Sequence, residues 1–205
     1  IASRMALATG YEVLAFQYRL APEHPYPEAL EDARLVWEYL MYLGWGARDI
    51  ILAGDSAGGN LALELALDLR DSQRMLPWRM VLLSPWTDMT ASGDSYEECR
   101  DLDPLLTRAY IEAVREAYAP GEDWSLPEFS PLFADLQGLP PTLIQVGGRE
   151  ILRDDSTRLH QKLLEAGVPA MLQSWPDMWH VFQMFPMKSA SEAMEQMAQF
   201  LETLR

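Results

Sequence analysis

One serine of the chain lies in a sequence context suited to nucleophilic chemistry. Ser56 stands in GDSAG, residues 54–58, directly after an apolar run and before an apolar helix-like segment. This G-x-S-x-G pattern is typical of a sharp strand-to-helix turn that exposes the serine hydroxyl above a sheet. We expect Gly54 and Gly58 to remove side chains that would collide in the turn. The N–H group of Ala57 and the start of the following helix would then favour an oxyanion beside the serine.

A serine nucleophile needs an imidazole base, and the chain contains three histidines. His180 follows the last strand-like segment, at the edge of an open sheet where catalytic groups gather. His24 precedes the serine in a proline-rich stretch that suits a turn, and His160 falls inside a helix-like segment, which favours a surface position. The sequence therefore predicts His180 as the base.

The base in turn needs an acidic partner, which we expect in the loop after the strand-like segment 141–148. Glu150 stands two residues beyond a Gly-Gly pair, at the end of that strand. Asp154 and Asp155 lie at the start of the next helix-like segment, where an aspartate is commonly an N-cap. Asp177 is too close to the histidine in sequence to be favoured. Glu150 is the preferred acid, with Asp154 as its alternative.

Alternating strand-like and helix-like segments supply the frame for these residues. Apolar runs without clean alternation are typical of parallel strands covered on both faces by helices. The sequence thus predicts an α/β fold with a mostly parallel sheet sandwiched by helices. The predicted strands are 11–18, 49–54, 79–86, 141–148 and 170–176, and the predicted helices are 27–44, 58–70, 152–167 and a stripe over 190–204 that includes Leu204.

We interpret residues 1–205 as one domain in which residues 87–139 form an excursion from the sheet. This stretch is rich in proline and acidic residues, and it contains one predicted helix with Asp103 as the expected N-cap. Insertions of this kind often cover active sites. Four apolar residues follow strand ends and could line an acyl site there, although such residues more often belong to the core. These pocket candidates are Trp86, Met89, Trp179 and Phe182.

The composition narrows the classes of partner. The net charge of −15 disfavours binding to nucleic acid or to anionic membranes. No apolar stretch is long enough to span a membrane. Cys99 is the single cysteine, so an internal disulfide is impossible and a reducing compartment such as the cytoplasm is permitted.

Five stretches of the chain resemble the bacterial hormone-sensitive-lipase-like esterases, in that family's order. The resemblance implies the α/β-hydrolase fold and hydrolysis of short- to medium-chain carboxylic esters, with a small-molecule ester as partner and no cofactor or metal. It matches Ser56 to the nucleophile, His180 to the base and Glu150 to the acid, and it suggests a homodimer through residues 170–176. The matching stretches are YRLAPEHPYPEALED (18–32), GDSAGGNLA (54–62), LLSPWTD (82–88), EILRDDS (150–156) and WHVF (179–182).

The sequence departs from the family pattern in two respects. Glu150 stands where many members have aspartate. The family's His-Gly-Gly-Gly segment, which supplies most of the oxyanion hole, does not occur. We therefore expect a partial copy of a longer domain, without the N-terminal strands and part of the lid. By the family's strand order, one of the missing strands would lie in the sheet between the predicted strands 11–18 and 49–54.

The sequence also allows functions other than that of a complete, active esterase. The chain could be a catalytically impaired fragment or a small-molecule-binding module, and its serine could be incidental to a glycine-rich turn. Peptidase or thioesterase chemistry would use the same three residues.

Overall fold

The structure is a computed structural model that describes residues 1–202. Its centre is a four-stranded parallel sheet in the order β1-β2-β3-β4. Each strand follows the previous one in the chain, so every connection is a crossover, as parallel strands require. The predicted parallel α/β architecture is confirmed. The strands are β1 (Ile51–Asp55), β2 (Arg79–Leu83), β3 (Thr142–Gly147) and β4 (Ala170–Trp175).

Helices cover both faces of the sheet. On one face, helices α3 and α6 pack against Met80, Leu82 and Ile144. On the other face, α7 packs against Val81, Leu83 and Leu143, with α1 beside it. The alternating contacts follow from the period of two in a strand, which sends successive side chains to opposite faces. The helices are α1 (Ala2–Thr9), α2 (Glu28–Tyr42), α3 (Ala57–Asp71), α4 (Ser95–Glu98), α5 (Arg108–Tyr118), α6 (Arg153–Glu165) and α7 (Lys188–Glu202).

The central strands and the helix behind the serine are the most buried elements. Every residue of β2 and β3 is buried, whereas β1 and β4, at the two edges of the described sheet, are only partly covered. Helix α3 is buried along most of its length, as its nearly all-round apolar sequence predicts. The residues that follow β2 and β3 therefore rest on the most buried strands, and those that follow β1 and β4 lie at the two edges of the described sheet.

The predicted strand over 11–18 is wrong for the described residues. Residues 10–20 form no regular element, and Val13, Leu14 and Phe16 are exposed. β-propensity depends on packing against neighbouring strands, and no described strand pairs with this segment. Its aromatic and β-branched composition alone was therefore insufficient to make it a strand.

The excursion over 87–139 also differs in detail from the prediction. It contains two helices, α4 and α5, and Thr107 caps α5 by accepting a hydrogen bond from the Tyr110 N–H group. Asp103, the expected cap, instead accepts from Leu105 N–H and, at 2.9 Å, from Ile151 N–H. A carboxylate with two oxygens can serve two segments at once, so Asp103 joins the excursion to the loop after β3.

The last described helix, α7, ends at Glu202. Leu204, at the end of the predicted C-terminal stripe, lies outside the described residues.

Among residues 1–202, no helix combines the length and the apolar character that a membrane span would need.

Candidate active site

Ser56 occupies a tight corner between β1 and α3. Its backbone φ is +53°, a strained value for a residue with a side chain, and its N–H group donates to the Leu83 carbonyl at 3.0 Å. A Cβ atom on Gly54 would lie 2.1 Å from the Gly58 carbonyl oxygen, so only glycine fits there. The expectation for Gly58 is wrong, because a Cβ on Gly58 would meet nothing within 4 Å. The close approach in this corner depends on Gly54.

His180 reaches the serine from the loop after β4. Its Nε2 atom lies 2.9 Å from Ser56 Oγ, and its Nδ1 atom lies 2.7 Å from Glu150 Oε2. An ionised carboxylate can only accept, so the contact with Glu150 places a proton on Nδ1 and leaves the Nε2 lone pair facing the serine hydroxyl. This is the tautomer in which the imidazole can take a proton from Ser56.

Glu150 lies in the turn after β3 and is fully buried. While Oε2 faces His180, Oε1 accepts hydrogen bonds from the Gly147 N–H group at 2.6 Å and from the Ser84 hydroxyl at 2.7 Å. Burying a carboxylate without partners would be costly. Three donors satisfy this one and fix its orientation toward the imidazole.

The glycine pair before Glu150 allows the histidine loop to pass close to β3. A Cβ atom on Gly147 would lie 2.5 Å from the Met178 carbonyl oxygen, and one on Gly148 would lie 2.5 Å from the Pro176 carbonyl oxygen. Both obstacles are backbone atoms, which cannot rotate away. The pair therefore sets how near the loop of His180 can come to the acid.

The rival acids and bases have other partners. Asp154 accepts from the Ser95 N–H group at 2.9 Å, and Asp155 accepts from Thr87 and Asp88 N–H groups, which tie α6 to the excursion. Burial raises the pKa of Asp155 well above its usual range. Asp177 forms an exposed ion pair with Arg149. His24 is exposed and His160 is half-buried on α6. The structure brings none of these to Ser56.

The α/β hydrolase fold family matches residues 1–184 of the chain. The chain belongs to the α/β hydrolase family. This hydrolase is 40% identical over 207 residues to a protein of Acinetobacter venetianus named esterase, a match that covers 98% of this chain and 67% of the relative. It is 39% identical to an acetyl-hydrolase of Streptomyces hygroscopicus, covering 99% of this chain and 69% of the relative.

Solved structures place the hydrolase in the same group. An esterase from the bacterial hormone-sensitive lipase family superimposes with a TM-score of 0.94 at 40% identity, covering 97% of this chain and 67% of the other. A second esterase, whose crystals were soaked with p-nitrophenyl butyrate, superimposes with a TM-score of 0.94 at 36% identity, covering 98% and 68%. The predicted resemblance to bacterial hormone-sensitive-lipase-like esterases is confirmed, and with it the prediction of an ester-hydrolase family enzyme.

The hydrolase buries most of the candidate pocket residues. Trp86 and Met89 lie in an apolar cluster under the excursion, and Phe182 is fully buried against the Trp175 ring. Trp179 is half-buried, with its ring 5.5 Å from that of Phe185. Of the four candidates, Trp179 alone retains partial exposure, which leaves the other three in the core.

Two features of the site were missed by the sequence reasoning. Ser84 follows β2 in LLSPW, and its hydroxyl contacts Glu150, but a serine after an apolar run carries no distinct signal. The role of the Gly147 N–H group depends on a backbone turn that sequence does not specify. Among the described residues, no group of three or more acidic, histidine or cysteine side chains could hold a metal ion.

Proposed function

We propose that this hydrolase cleaves short- to medium-chain carboxylic esters through an acyl-enzyme, with Ser56, His180 and Glu150 acting in series. The observation that carries the proposal is the position of one imidazole, with Nε2 at 2.9 Å from Ser56 Oγ and Nδ1 at 2.7 Å from Glu150 Oε2. This is the contact pattern of nucleophile, base and orienting acid. The names of the relatives, esterase and acetyl-hydrolase, support an ester as the substrate.

In acylation, the Ser56 oxygen attacks the ester carbonyl while its proton moves to His180 Nε2. The imidazolium then gives that proton to the departing alcohol, leaving an acyl group on the serine oxygen. Glu150 remains ionised throughout and stabilises the charged imidazolium. Its three hydrogen-bond donors keep it in position for this purpose.

In deacylation, His180 takes a proton from water, the resulting hydroxide attacks the acyl carbonyl, and Ser56 leaves with the proton restored. Both half-reactions develop an oxyanion on the carbonyl oxygen. As the first residue of α3, Ala57 has an N–H group that no preceding helical turn can occupy. We assign this N–H group to the oxyanion, where one such donor typically contributes about 10²- to 10³-fold in rate.

Hydrolysis of p-nitrophenyl butyrate by the intact protein tests the proposal and separates the two candidate acids. We expect S56A to lose at least about 10⁴-fold in kcat and E150Q to lose about 10³- to 10⁴-fold. D154N is the matched control, because Asp154 is a neighbouring carboxyl group that faces Ser95 rather than His180. If D154N is inactive while E150Q keeps its rate, the assigned acid is wrong. If S56A keeps its rate, the esterase mechanism through Ser56 fails.

A further inference from the structure

One hydroxyl group contacts both the acid and the histidine loop. Ser84 Oγ donates to Glu150 Oε1 at 2.7 Å and accepts from the Val181 N–H group at 3.1 Å. Val181 directly follows His180, and both Ser84 and Val181 are buried. The geometry points to Ser84 as a positioning residue that couples the acid to the base, an inference that rests on the proposed esterase function.

The place of Ser84 in the sheet explains how it can do this. It follows β2, which lies between β1, the strand leading to Ser56, and β3, the strand leading to Glu150. Its N–H group donates to the Gln145 carbonyl at 2.8 Å, which continues the pairing of β2 with β3 by one residue. Its side chain therefore emerges between the nucleophile and the acid, with no intervening strand.

The backbone is strained at both Ser84 and Val181, and packing alone would not require this strain. Ser84 has a φ of +48° and Val181 a φ of +46°, both in the left-handed region that residues with side chains rarely adopt. For the β-branched Val181 this conformation is a pronounced exception. The Val181–Ser84 hydrogen bond joins these two strained residues. Strain of this kind persists where surrounding contacts over-determine the backbone, which is common at active sites.

The Ser84 hydroxyl helps to hold the long side chain of Glu150 in one orientation. A glutamate has one more rotatable bond than an aspartate, so its carboxyl group needs more contacts to hold one orientation. Ser84 and the Gly147 N–H group both hold Oε1, which leaves Oε2 directed at His180 Nδ1. Without the Ser84 hydroxyl, we expect Glu150 and the loop of His180 to lose their alignment. This misalignment should slow proton transfer between Ser56 and His180 and leave ester binding largely unchanged.

The test is a double-mutant cycle on p-nitrophenyl butyrate hydrolysis by the intact protein. We expect S84A to lower kcat about 10- to 100-fold, the usual cost of one hydrogen bond to a charged group, while KM changes less than about twofold. In an E150Q background the same change should cost several-fold less than in the wild type, because the hydrogen bond to the Glu150 carboxylate is then no longer there to be lost. The downfield proton NMR signal of His180 Nδ1–H should shift or broaden in S84A.

A matched serine separates positioning from general packing. Ser130 is also fully buried, and its hydroxyl likewise makes one donated and one accepted hydrogen bond, but it donates to the Trp124 backbone carbonyl rather than to a carboxylate and accepts from the Met89 N–H group. We expect S130A to lower the melting temperature about as much as S84A but to keep kcat within about threefold. If S84A does not fold, S84G carries the same test, since glycine is unstrained at a φ of +48°.

Three results would overturn the inference without touching the proposed function. These are an S84A protein with unchanged kcat, an equal loss in the wild-type and E150Q backgrounds, or an unchanged His180 proton signal. Each would occur while S56A and H180A remain inactive. If S56A and H180A keep their activity, the proposed function itself fails, and Ser84 has no triad to position.

Discussion

Two buried glutamates of this hydrolase differ in how their carboxyl groups are satisfied. Glu150 has donors on both oxygens, from Ser84, Gly147 and His180. Glu64, on the buried side of α3, has one oxygen without a hydrogen-bond partner and one 3.5 Å from the Tyr118 hydroxyl. Burial alone thus does not make a functional carboxylate. The hydrogen-bond donors around the carboxyl group decide whether it is held in one orientation.

The pKa of Glu64 reflects its burial with few hydrogen-bond donors. Burial raises its pKa to about 8, against the lowering effects of the Tyr118 hydroxyl and of Arg34, while the nearby Glu128 raises it further. Tyr26 also faces this group, and Glu64 helps to raise the pKa of Tyr26. Glu64 is therefore mostly protonated in the folded protein at pH 7. Its side chain lies between α3 and Tyr118, the last residue of the excursion helix α5.

Of the changes that compare the surroundings of the two glutamates, the one with the larger effect on catalysis adds a single methyl group at Gly147, beside Glu150. In G147A the new Cβ atom would lie 2.5 Å from the Met178 carbonyl and 2.8 Å from that of Trp179, so the histidine loop must move. We expect a loss of at least about 10²-fold in kcat, and a loss of stability of about 3 kcal/mol from this steric strain. Butyrate-ester kinetics and urea unfolding measure the two losses.

G58A is the matched control for the stability part of that experiment. A Cβ atom on Gly58 would meet nothing within 4 Å, and an alanine in the first turn of α3 restricts the unfolded chain. Its free energy of unfolding should be unchanged or higher by up to about 1 kcal/mol. Equal destabilisation of G147A and G58A would contradict the assigned close approach between Gly147 and the histidine loop.

A smaller effect on catalysis is expected from changing Glu64, whose effect is on stability and depends on pH. The folded pKa of Glu64 is about 8, above its ordinary value of 4.5, so the folded state binds more protons between these two pH values. The free energy of unfolding should therefore be highest, as far as Glu64 is concerned, below pH 4.5 and fall as the pH rises to 8. E64Q should remove the part of the slope that Glu64 causes, leaving the part due to Asp155, whose pKa is also raised, and should be more stable than wild type at pH 8 by a few kcal/mol.

Urea unfolding from pH 5 to pH 9 measures that slope, with E12Q as the control, because Glu12 carries the same side chain at an exposed position. E12Q should retain the wild-type slope. We also expect E64Q to keep its kcat at pH 6, unlike E150Q. A wild-type slope retained in E64Q would show that Glu64 is charged in the folded state, and the contrast between the two glutamates would fail.

Sequence reasoning found the parts of the site that depend on local chemistry. Ser56 was recognisable from its glycine corner and His180 from its place after the last strand. Glu150 was only preferred over Asp154, and the N-cap role expected of Asp154 is wrong, because Leu152 is the N-cap of α6 and no side chain caps that helix. The N-cap of α5 at Thr107 and the satisfaction of Glu150 by Ser84 were not predictable, because both depend on backbone turns. The segment 11–18 was mispredicted because strand formation requires a paired neighbour, which composition does not reveal.

The account rests on the claim that His180 activates the Ser56 hydroxyl for covalent attack. A fluorophosphonate probe reacts with such activated serines, and peptide mass spectrometry locates the adduct. We predict a single adduct on the peptide containing Ser56, formed at least about 10²-fold more slowly in H180A. An adduct on another residue, or equally fast labelling of Ser56 in H180A, would contradict the account.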